Sequence, residues 1–258
     1  MHILHKQALI TGATSGIGLS YCHLLAEHSV HLIIISRNVV TLDALAQELK
    51  QKYAIKVTVI AADLSEEDAA DNIFKVVNEQ GLKIDLLINN AGRADFGAFD
   101  KTPWIQQRAL INLMLTSLTK LSYLFLPQLL ACEKGALINV SSIAGLIGLS
   151  PKGRTHRVLY RPIKSYVVAF SEQLMKTYKD KGLVVQVLCP GLTYSQFHQR
   201  SGDTQLFDAV PKWMWTSADY VVKKSISSLV GSHRLCVIPG WHNRLAVLMG
   251  RIIDLFKL

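Results

Sequence analysis

Two side chains four residues apart, Tyr160 and Lys164, form the pair best suited to chemistry in this sequence. Residues at i and i+4 share one face of a helix, so both side chains would point into the same cleft. A free tyrosine has a pKa of about 10, which is too high for efficient proton transfer at neutral pH. Because a nearby ammonium group favours the phenolate, Lys164 would lower that pKa. The pair predicts a general acid or base at Tyr160.

A serine pair, Ser141 and Ser142, lies upstream of a loop rich in proline and glycine, "LSPKGRTHRV", and this pair and Tyr160 are either two halves of one active site or the two ends of a basic surface loop. Loops gain length at a small entropic cost, so a strand carrying Ser142 and a helix carrying Tyr160 can still meet. Four basic side chains stand between them: Lys152, Arg154, His156 and Arg157. They fit either a solvated surface loop or a rim that recognises an anion at the substrate mouth.

A glycine turn near the start, "LITGATSGIG", places Gly12, Gly16 and Gly18 between a predicted strand and a predicted helix. Glycine permits positive φ and lets the backbone approach a phosphate closely. The helix N terminus that follows points its amide dipoles at a pyrophosphate. The spacing is GxxxGxG rather than GxGxxG, but the strand-turn-helix context predicts a dinucleotide site.

The residues after the second predicted strand indicate which dinucleotide would bind. Ser36, Arg37 and Asn38 stand there, where an acid would bind the ribose hydroxyls of NAD. Arg37 can hold a 2′-phosphate with its planar fork, and Ser36 can donate to it. We therefore predict NADP rather than NAD. Asp63, after the third strand, can accept from the adenine amine or serve as an acid at a helix N terminus.

Length, composition and charge limit the classes of protein to which this sequence could belong. The chain has 258 residues, half of them hydrophobic, with a formal net charge of +9. The positive charge fits a nucleic acid, an anionic membrane or an anionic cofactor, and no nucleic-acid recognition module is visible. Four cysteines without a CxxC pair predict reduced thiols and no metal site. With neither a signal-peptide layout nor an uncharged apolar run of about 20 residues, we expect a cytoplasmic protein, with peripheral contact at the inner face of a membrane as an alternative.

Short apolar runs alternate with amphipathic stretches along the chain. The predicted strands are 7–11, 30–36, 56–60, 84–89, 136–141, 183–189 and 234–240, and the predicted helices lie near 16–28, 41–52, 66–80, 103–131 and 160–180. The strands are rich in Val, Ile and Leu without strict alternation, as in a sheet covered on both faces. The pattern predicts one α/β domain over 1–258, a Rossmann fold whose doubly wound parallel sheet has about seven strands with helices on both faces.

Two segments depart from this rhythm. The segment 192–232 is predicted to be a substrate lid, with large apolar residues at Tyr194, Phe197, Leu206, Phe207, Trp213, Met214 and Trp215. They favour a lipophilic substrate, although some would simply pack the lid onto the core. The tail 241–258 predicts an amphipathic helix with Leu245, Leu248, Met249, Ile252, Leu255 and Phe256 on one face. That face fits the protein's own core, another subunit or a membrane surface.

Five motifs in order give a family resemblance: "TGATSGIG" (11–18), "NNAG" (89–92), "NVSSIAG" (139–145), "YRPIK" (160–164) and "PG" (190–191). Over residues 6–240 the chain resembles the short-chain dehydrogenase/reductase family. The stretches "KWMW" and "VIPGWHNRLAVLM" are most similar to its lipid and 3-oxoacyl or steroid reductase-like branch. The gap between Ser142 and Tyr160 is longer than is usual in that family.

The resemblance implies a role for each matching residue. Ser142 would hydrogen-bond the substrate oxygen, Tyr160 would transfer the proton, Lys164 would hold the nicotinamide ribose, and Asn112 would support a proton-relay water. The implied cofactor residues are Thr11, Gly12, Thr14, Ser15, Gly16, Ile17, Gly18, Ser36, Arg37, Asp63, Leu64, Asn89, Ala91, Gly92, Tyr160, Lys164, Pro190, Gly191 and Thr193. Ser195 stands where the family often has a threonine after PG, with Thr193 as the other candidate.

The residues and the resemblance together predict an NADP(H)-dependent oxidoreductase that interconverts a ketone and a secondary alcohol. A lipophilic or 3-oxoacyl substrate is expected, with an acyl carrier protein or a CoA thioester as a partner, no nucleic acid, and a homo-oligomeric assembly. Three alternatives remain: a non-catalytic dinucleotide sensor of the same fold, a membrane or nucleic-acid adaptor, and a sugar-nucleotide epimerase, for which the chain is short.

Overall fold

A parallel sheet lies at the centre of the computed structural model, which describes residues 5–93, 98–147, 158–194 and 210–255. Its strands are β1 (Gln7–Thr11), β2 (His31–Ser36), β3 (Val57–Ala61), β4 (Leu86–Asn89), β5 (Ala136–Val140), β6 (Val184–Leu188) and β9 (Cys236–Val237). The order across the sheet is β3-β2-β1-β4-β5-β6-β9 among the described residues. The direction of winding reverses between β1 and β4, and ligands of such sheets bind outside the carboxyl ends of the strands at that point.

The strands form because their residues are buried on both faces. Ile33 and Ile34, neighbours on β2, are fully buried in different hydrophobic layers. Leu9 joins the layer of Ile33, and Ile10 joins that of Ile34. A strand with both faces covered reads as a continuous apolar run, which is why these segments do not alternate with polar residues.

Eight α-helices are seen in the described ranges: α1 (Gly16–Glu27), α2 (Val39–Tyr53), α3 (Ala69–Glu79), α4 (Trp104–Ile111), α5 (Ser117–Ala131), α6 (Tyr160–Tyr178), α7 (Ala218–Val230) and α8 (Trp241–Leu255). A π-helical turn, Asn112–Thr116, joins α4 to α5, and two short strands, β7 (Thr193–Tyr194) and β8 (Thr216–Ser217), pair outside the main sheet. Buried residues of α1, α2 and α7 form one layer, and those of α3 and α5 form the opposite one. The predicted doubly wound Rossmann fold is confirmed.

The continuous helical stretch Trp104–Ala131 is long and apolar enough to cross a membrane by length and composition alone. Within it, Leu121, Phe125 and Leu129 are buried in the layer that covers the sheet. A core helix of a soluble protein passes the same test, and 39% of the apolar window is buried inside this structure.

The segment 192–232 differs from the expectation of one continuous lid. Its last part is α7, whose Val221 and Ile226 are buried in the main core. The hydroxyl of Tyr21 on α1 lies 2.5 Å from that of Ser225, so α7 is fastened to α1. A covering segment is therefore limited to residues before α7, of which 195–209 lie outside the described residues.

Candidate active site

The glycine turn between β1 and α1 has the conformation that a dinucleotide site needs. Gly12 and Gly16 have φ angles of +67° and +54°, a region that favours glycine. A Cβ at Gly18 would lie 2.1 Å from the carbonyl oxygen of Gly12, so that position has no room for a side chain. Thr14 and Ser15 lie in the turn, and α1 begins at Gly16. The turn thus brings the N terminus of a 12-residue helix to the carboxyl end of β1, where an anion is favoured.

Asn90 stabilises this turn through hydrogen bonds, and it was not among the site residues predicted from the sequence. Its Nδ2 donates to the carbonyl oxygens of Thr11 at 2.9 Å and Gly12 at 3.3 Å. The amides of Asn90 and Ala91 in turn donate to Oγ1 of Thr11, at 2.9 and 3.0 Å. The signal was present in the doubled asparagine of "NNAG", whose members alternate between the two faces of the sheet at the end of β4.

The neighbouring Asn89 has a different environment. Its side chain is buried, and its Nδ2 donates to Oδ1 of Asn139 and to Oγ of Ser122, both at 3.0 Å. Asn139 then donates to Ser171 on α6 at 3.0 Å. These bonds tie β4, β5, α5 and α6 together across the sheet. The Nδ2 group is engaged in these bonds, whereas Oδ1 of Asn89 is buried and accepts no hydrogen bond from the described residues, so the cofactor contact implied for Asn89 stays a prediction.

The ends of β2 and β3 form a polar edge next to the glycine turn. The hydroxyls of Thr14 and Ser36 lie 3.0 Å apart. Arg37 is largely exposed, with Nη1 3.8 Å from Oδ2 of Asp63, and the predicted residue Leu64 is buried behind them. The guanidinium group and two hydroxyls therefore border the place where the adenosine part of a dinucleotide would lie.

Asp63 is held in its charged form. Burial works to raise the pKa of its carboxyl group, but hydrogen bonds from Ser65 and the positive charges of Arg37 and Arg93 outweigh it, so the pKa lies below the usual value. Ser65 supplies both its amide, at 3.0 Å, and its hydroxyl, at 2.7 Å, to Oδ1 of Asp63. A carboxylate fixed in this way is an acceptor for an amine such as that of adenine.

Lys164 is buried on the first turns of α6, where its charge is unfavourable. Its Nζ donates to the carbonyl oxygen of Val140 at 2.9 Å and lies 5.8 Å from the ring centre of Tyr160. Burial lowers the pKa of Lys164 to about 8, against a smaller opposite effect of Cys189. A Cβ at Gly92 would lie 3.9 Å from Nζ, so the end of β4 adjoins this amine. The amine thus stands where β4, β5 and α6 converge.

The long gap before Tyr160 does not separate the two halves of the site. Ser141 donates its hydroxyl to the carbonyl oxygen of Lys164 at 2.8 Å, and Ser165 donates to the carbonyl oxygen of Gly145 at 3.1 Å. A Cβ at Gly145 would lie 2.5 Å from the carbonyl oxygen of Lys164. The segment after β5 therefore lies directly against α6. Pro162 is the third residue of α6, where its missing amide costs no helical hydrogen bond.

Ser142 caps the short 3₁₀ turn Ile143–Gly145. Its Oγ accepts from the amide of Ala144 at 3.2 Å and lies 3.4 Å from the carbonyl oxygen of Pro190. The amide of Ile143 donates to that same carbonyl at 3.0 Å. Ser142 is half-buried, so its hydroxyl is positioned between the ends of β5 and β6 and remains accessible.

The segment Pro190–Thr193 follows β6 at the same edge of the sheet. Thr193 is buried, and its hydroxyl lies 3.1 Å from the carbonyl oxygen of Gly191 and 3.4 Å from the hydroxyl of Thr216. A Cβ at Gly191 would lie 2.0 Å from Oδ1 of Asn243, at the start of α8. Asn243, which sequence reasoning also missed, therefore fixes how closely this segment approaches α8.

Asn112 begins the π-helical turn between α4 and α5. Its Nδ2 donates to the carbonyl oxygen of Ser65 at 3.0 Å, and its own carbonyl accepts from the amide of Ser117. Asn112 therefore ties the helix to the loop after β3.

A sequence profile described as "short chain dehydrogenase" matches residues 6–206, the part of the chain that carries this constellation. The chain belongs to the short-chain dehydrogenase family. A very-long-chain 3-oxoacyl-CoA reductase from Homo sapiens is 33% identical over 191 residues, which is 72% of this chain and 59% of that protein. A 17-beta-hydroxysteroid dehydrogenase type 3 from Mus musculus is 30% identical over 247 residues, 95% of this chain and 75% of that protein.

A solved short-chain dehydrogenase from Sphingobium yanoikuyae, in complex with NADPH, superposes with a TM-score of 0.83 at 28% identity. It covers 98% of this chain and 95% of its own. The relatives support membership in the 3-oxoacyl and steroid reductase branch of the short-chain dehydrogenases. In the present protein the motifs lie on one edge of the sheet. The basic loop residues lie outside the described residues, as does Ser195: Lys152, Arg154, His156 and Arg157.

Proposed function

We propose that the protein is an NADP(H)-dependent oxidoreductase that interconverts a ketone and a secondary alcohol. The observation that carries the proposal is the convergence of a buried amine, Lys164, with Tyr160 and the glycine-lined end of β4. Such a group of acid, base and glycine-rich turn matches hydride transfer coupled to proton transfer. The human and mouse relatives, a reductase and a dehydrogenase by name, support this reaction class.

The residues fit a dinucleotide with a 2′-phosphate. Gly12, Gly16 and Gly18 leave the backbone space that a pyrophosphate needs, and a Cβ at Gly18 would collide with the turn itself. Arg37 presents an exposed guanidinium group beside Ser36, and these two residues would hold the phosphate. The NADPH complex of the Sphingobium relative supports the same cofactor for this chain.

The chain's own side chains handle the proton. Bound NADPH supplies a hydride to the carbonyl carbon of the substrate. The Tyr160 hydroxyl gives its proton to the carbonyl oxygen, while the Ser142 hydroxyl donates a hydrogen bond to that oxygen. The products are a secondary alcohol and the oxidised cofactor, and in the reverse direction Tyr160 takes the proton. The Lys164 amine favours the phenolate of Tyr160 and binds the nicotinamide ribose.

We assign the substrate to lipophilic ketones, with 3-oxoacyl-CoA thioesters first among them. The relatives are named for a very-long-chain 3-oxoacyl-CoA and for a hydroxysteroid, and each of these molecules has a large apolar part. Tyr194 is 46% exposed and stacks on the buried Trp215 with ring centres 5.1 Å apart, so it presents apolar surface beside the segment after β6, near Thr193. Stacked aromatic rings of this kind suit an acyl chain or a steroid.

The test is a substrate panel with both cofactors. NADPH and NADH oxidation are followed with short ketones, 17-ketosteroids and 3-oxoacyl-CoA thioesters of increasing chain length. We expect consumption of NADPH, with kcat/KM rising with the apolar area of the substrate. Binding of NADPH without turnover of any member would instead identify a non-catalytic sensor. Turnover that falls as the acyl chain grows would contradict the substrate assignment and leave the reaction class intact.

A further inference from the structure

Helix α8 faces the protein with its smaller residues and presents its large apolar residues outwards. The buried stripe consists of Asn243, Val247 and Gly250, one turn apart. The exposed apolar residues are Trp241, Leu245, Leu248, Met249, Ile252 and Ile253, with exposed fractions from 38% to 69%. A helix that covers its own core has the opposite arrangement. These six residues, together with Trp213, are called the α8 outer face below.

Two tryptophans lie together at the N-terminal end of this face. Trp213 and Trp241 stack with ring centres 6.1 Å apart and planes within 8°, and both are more than half exposed. The ring of His242 meets Trp213 edge-on at 6.1 Å. Indole rings are enriched at boundaries between apolar matter and water, because they combine a large apolar body with one polar N–H group.

Positive charge borders the α8 outer face. At 100° per residue, Arg244 and Arg251 fall side by side on the helix, between the apolar arc and the buried stripe. Both are exposed, although Nε of Arg244 also donates to the carbonyl oxygen of Ile238 at 3.0 Å. Lys212, next to Trp213, is exposed as well, and the whole chain carries a net charge of +9. An apolar arc with arginines along one edge is complementary to a surface with an apolar interior and anionic headgroups.

We propose that the α8 outer face binds the surface of an anionic phospholipid bilayer. The helix would lie in the plane of the interface, with Leu245, Leu248 and Ile252 among the acyl chains and the arginines at the headgroups. A second copy of the chain fits less well. An isologous dimer with antiparallel α8 helices would bring each row of arginines towards its own symmetry mate, with like charges facing each other at the edge of the contact.

The binding helix is joined to the active site at two points. Asn243 packs against Gly191 in the segment after β6, and a Cβ at Gly250 would lie 2.7 Å from Cγ2 of Ile147, on the segment after Ser142. The segments that border the site are thus held by the helix that meets the bilayer. If the proposed function is correct, a lipophilic substrate can pass from the membrane to the site without crossing bulk water; the binding itself does not depend on that function.

The test compares aspartate substitutions at two apolar residues that are similarly exposed but lie on different helices. Leu248 on α8 is 57% exposed and Ile105 on α4 is 60% exposed, so Leu248→Asp and Ile105→Asp remove similar surface and add the same charge. Co-sedimentation is measured with vesicles of phosphatidylcholine alone and with vesicles that also contain phosphatidylserine. We expect the wild type and Ile105→Asp to bind the anionic vesicles, with binding weakened by salt, and Leu248→Asp to lose about tenfold in affinity.

Circular dichroism and thermal melting of both variants show whether each is folded, and Trp241→Ala serves as a milder second variant on the same face. Quenching of tryptophan fluorescence by brominated lipid should be strong in the wild type and weak in a Trp213→Phe/Trp241→Phe variant. The proposal is overturned if folded wild-type protein fails to bind the anionic vesicles, or if both aspartate variants bind equally. It is also overturned if Leu248→Asp turns a dimer into a monomer by sedimentation velocity while no vesicle binding is seen.

Discussion

The hydroxyl of Ser141 donates to the main-chain carbonyl of Lys164 at 2.8 Å, which fastens the end of β5 to the first turns of α6. Both residues are buried. The neighbours of these two residues, Ser142 and Tyr160 among them, are therefore placed by a direct bond across the fold. Together with the bond from Ser165 to Gly145, it holds the segment after β5 against α6.

Removal of this hydroxyl should cost stability. Ser141→Ala leaves the carbonyl of Lys164 buried without that donor, so we expect a loss of about 1–3 kcal/mol in the free energy of unfolding. Urea denaturation followed by circular dichroism measures it. Ser228→Ala is the control, since Ser228 is only half-buried and its hydroxyl lies 3.3 Å from that of Ser232 at the surface. A control loss as large as that of Ser141→Ala would contradict the special position of this bond.

The buried Lys164 makes the stability of the cofactor-free protein depend on pH. Its pKa of about 8 in the folded state lies below the ordinary value of 10.5, so between these pH values the unfolded chain binds more protons at this position. Burial of the charge therefore destabilises the fold fully below pH 8, and the penalty disappears as the pH rises to 10.5. The shift corresponds to about 3 kcal/mol.

Comparison with Lys164→Met isolates this effect, because Tyr21 and Cys22, whose pKa values burial raises, titrate in both proteins. The free energy of unfolding of the wild type minus that of Lys164→Met should rise between pH 8 and pH 10.5. Urea titrations across this range measure the difference. A difference that stays constant or falls with pH would show that Lys164 is not buried in its charged form.

Arg37 should determine the choice of nucleotide. In Arg37→Asp the guanidinium group that would bind a 2′-phosphate is replaced by a repelling carboxylate close to Asp63. We expect the Kd for NADPH to rise at least about tenfold and the Kd for NADH to change little. Fluorescence titration measures both constants. Lys50→Asp, an exposed change on α2, makes the same change in charge and should leave the ratio of the two constants unaltered.

Asn90 should support cofactor binding through the glycine turn. Asn90→Ala removes the donors to the carbonyl oxygens of Thr11 and Gly12, which lets the turn relax. We expect the Kd for NADPH to rise about tenfold with a loss of about 1 kcal/mol in stability. Asn90→Asp keeps the size of the side chain and loses the same donors, so it should weaken binding similarly. Unchanged binding in both variants would remove Asn90 from the site.

Much of the fold could be predicted from the sequence because its strands are unbroken apolar runs. The isoleucines of β2 and the apolar residues of β1 need two covered faces, and this requirement leads directly to a parallel sheet with helices on both sides. Helix ends were less certain: α3 begins at Ala69 rather than near residue 66. The residues after Asp63 form a turn instead, in which Ser65 hydrogen-bonds the carboxylate of Asp63. The periodicity of apolar residues does not predict such local hydrogen bonds.

Site residues whose type and spacing allow one role could be predicted from the sequence. Residues whose role depends on tertiary contacts were harder to predict. Gly18 and Lys164 follow from spacing and local chemistry. Asn89 forms hydrogen bonds inside the sheet, and Asn90 forms them to the glycine turn. This difference depends on which way each side chain points at the end of β4. The role of Asn243 depends on the approach of α8 to Gly191, a contact between residues distant in the chain. The direction of the apolar face of α8 is also set by tertiary packing.

The most direct test of the central claim is the rate of NADPH oxidation by Tyr160→Phe with the best substrate of the panel. Tyr166→Phe is the matched control, because Tyr166 lies on the same helix and its hydroxyl pairs with Thr119 at 2.9 Å. We predict that Tyr160→Phe loses at least about 100-fold in kcat while its Kd for NADPH stays within a few-fold of the wild type, because only the proton donor is missing. The control should keep wild-type kcat. A Tyr160→Phe enzyme that turns over as fast as Tyr166→Phe would contradict the account.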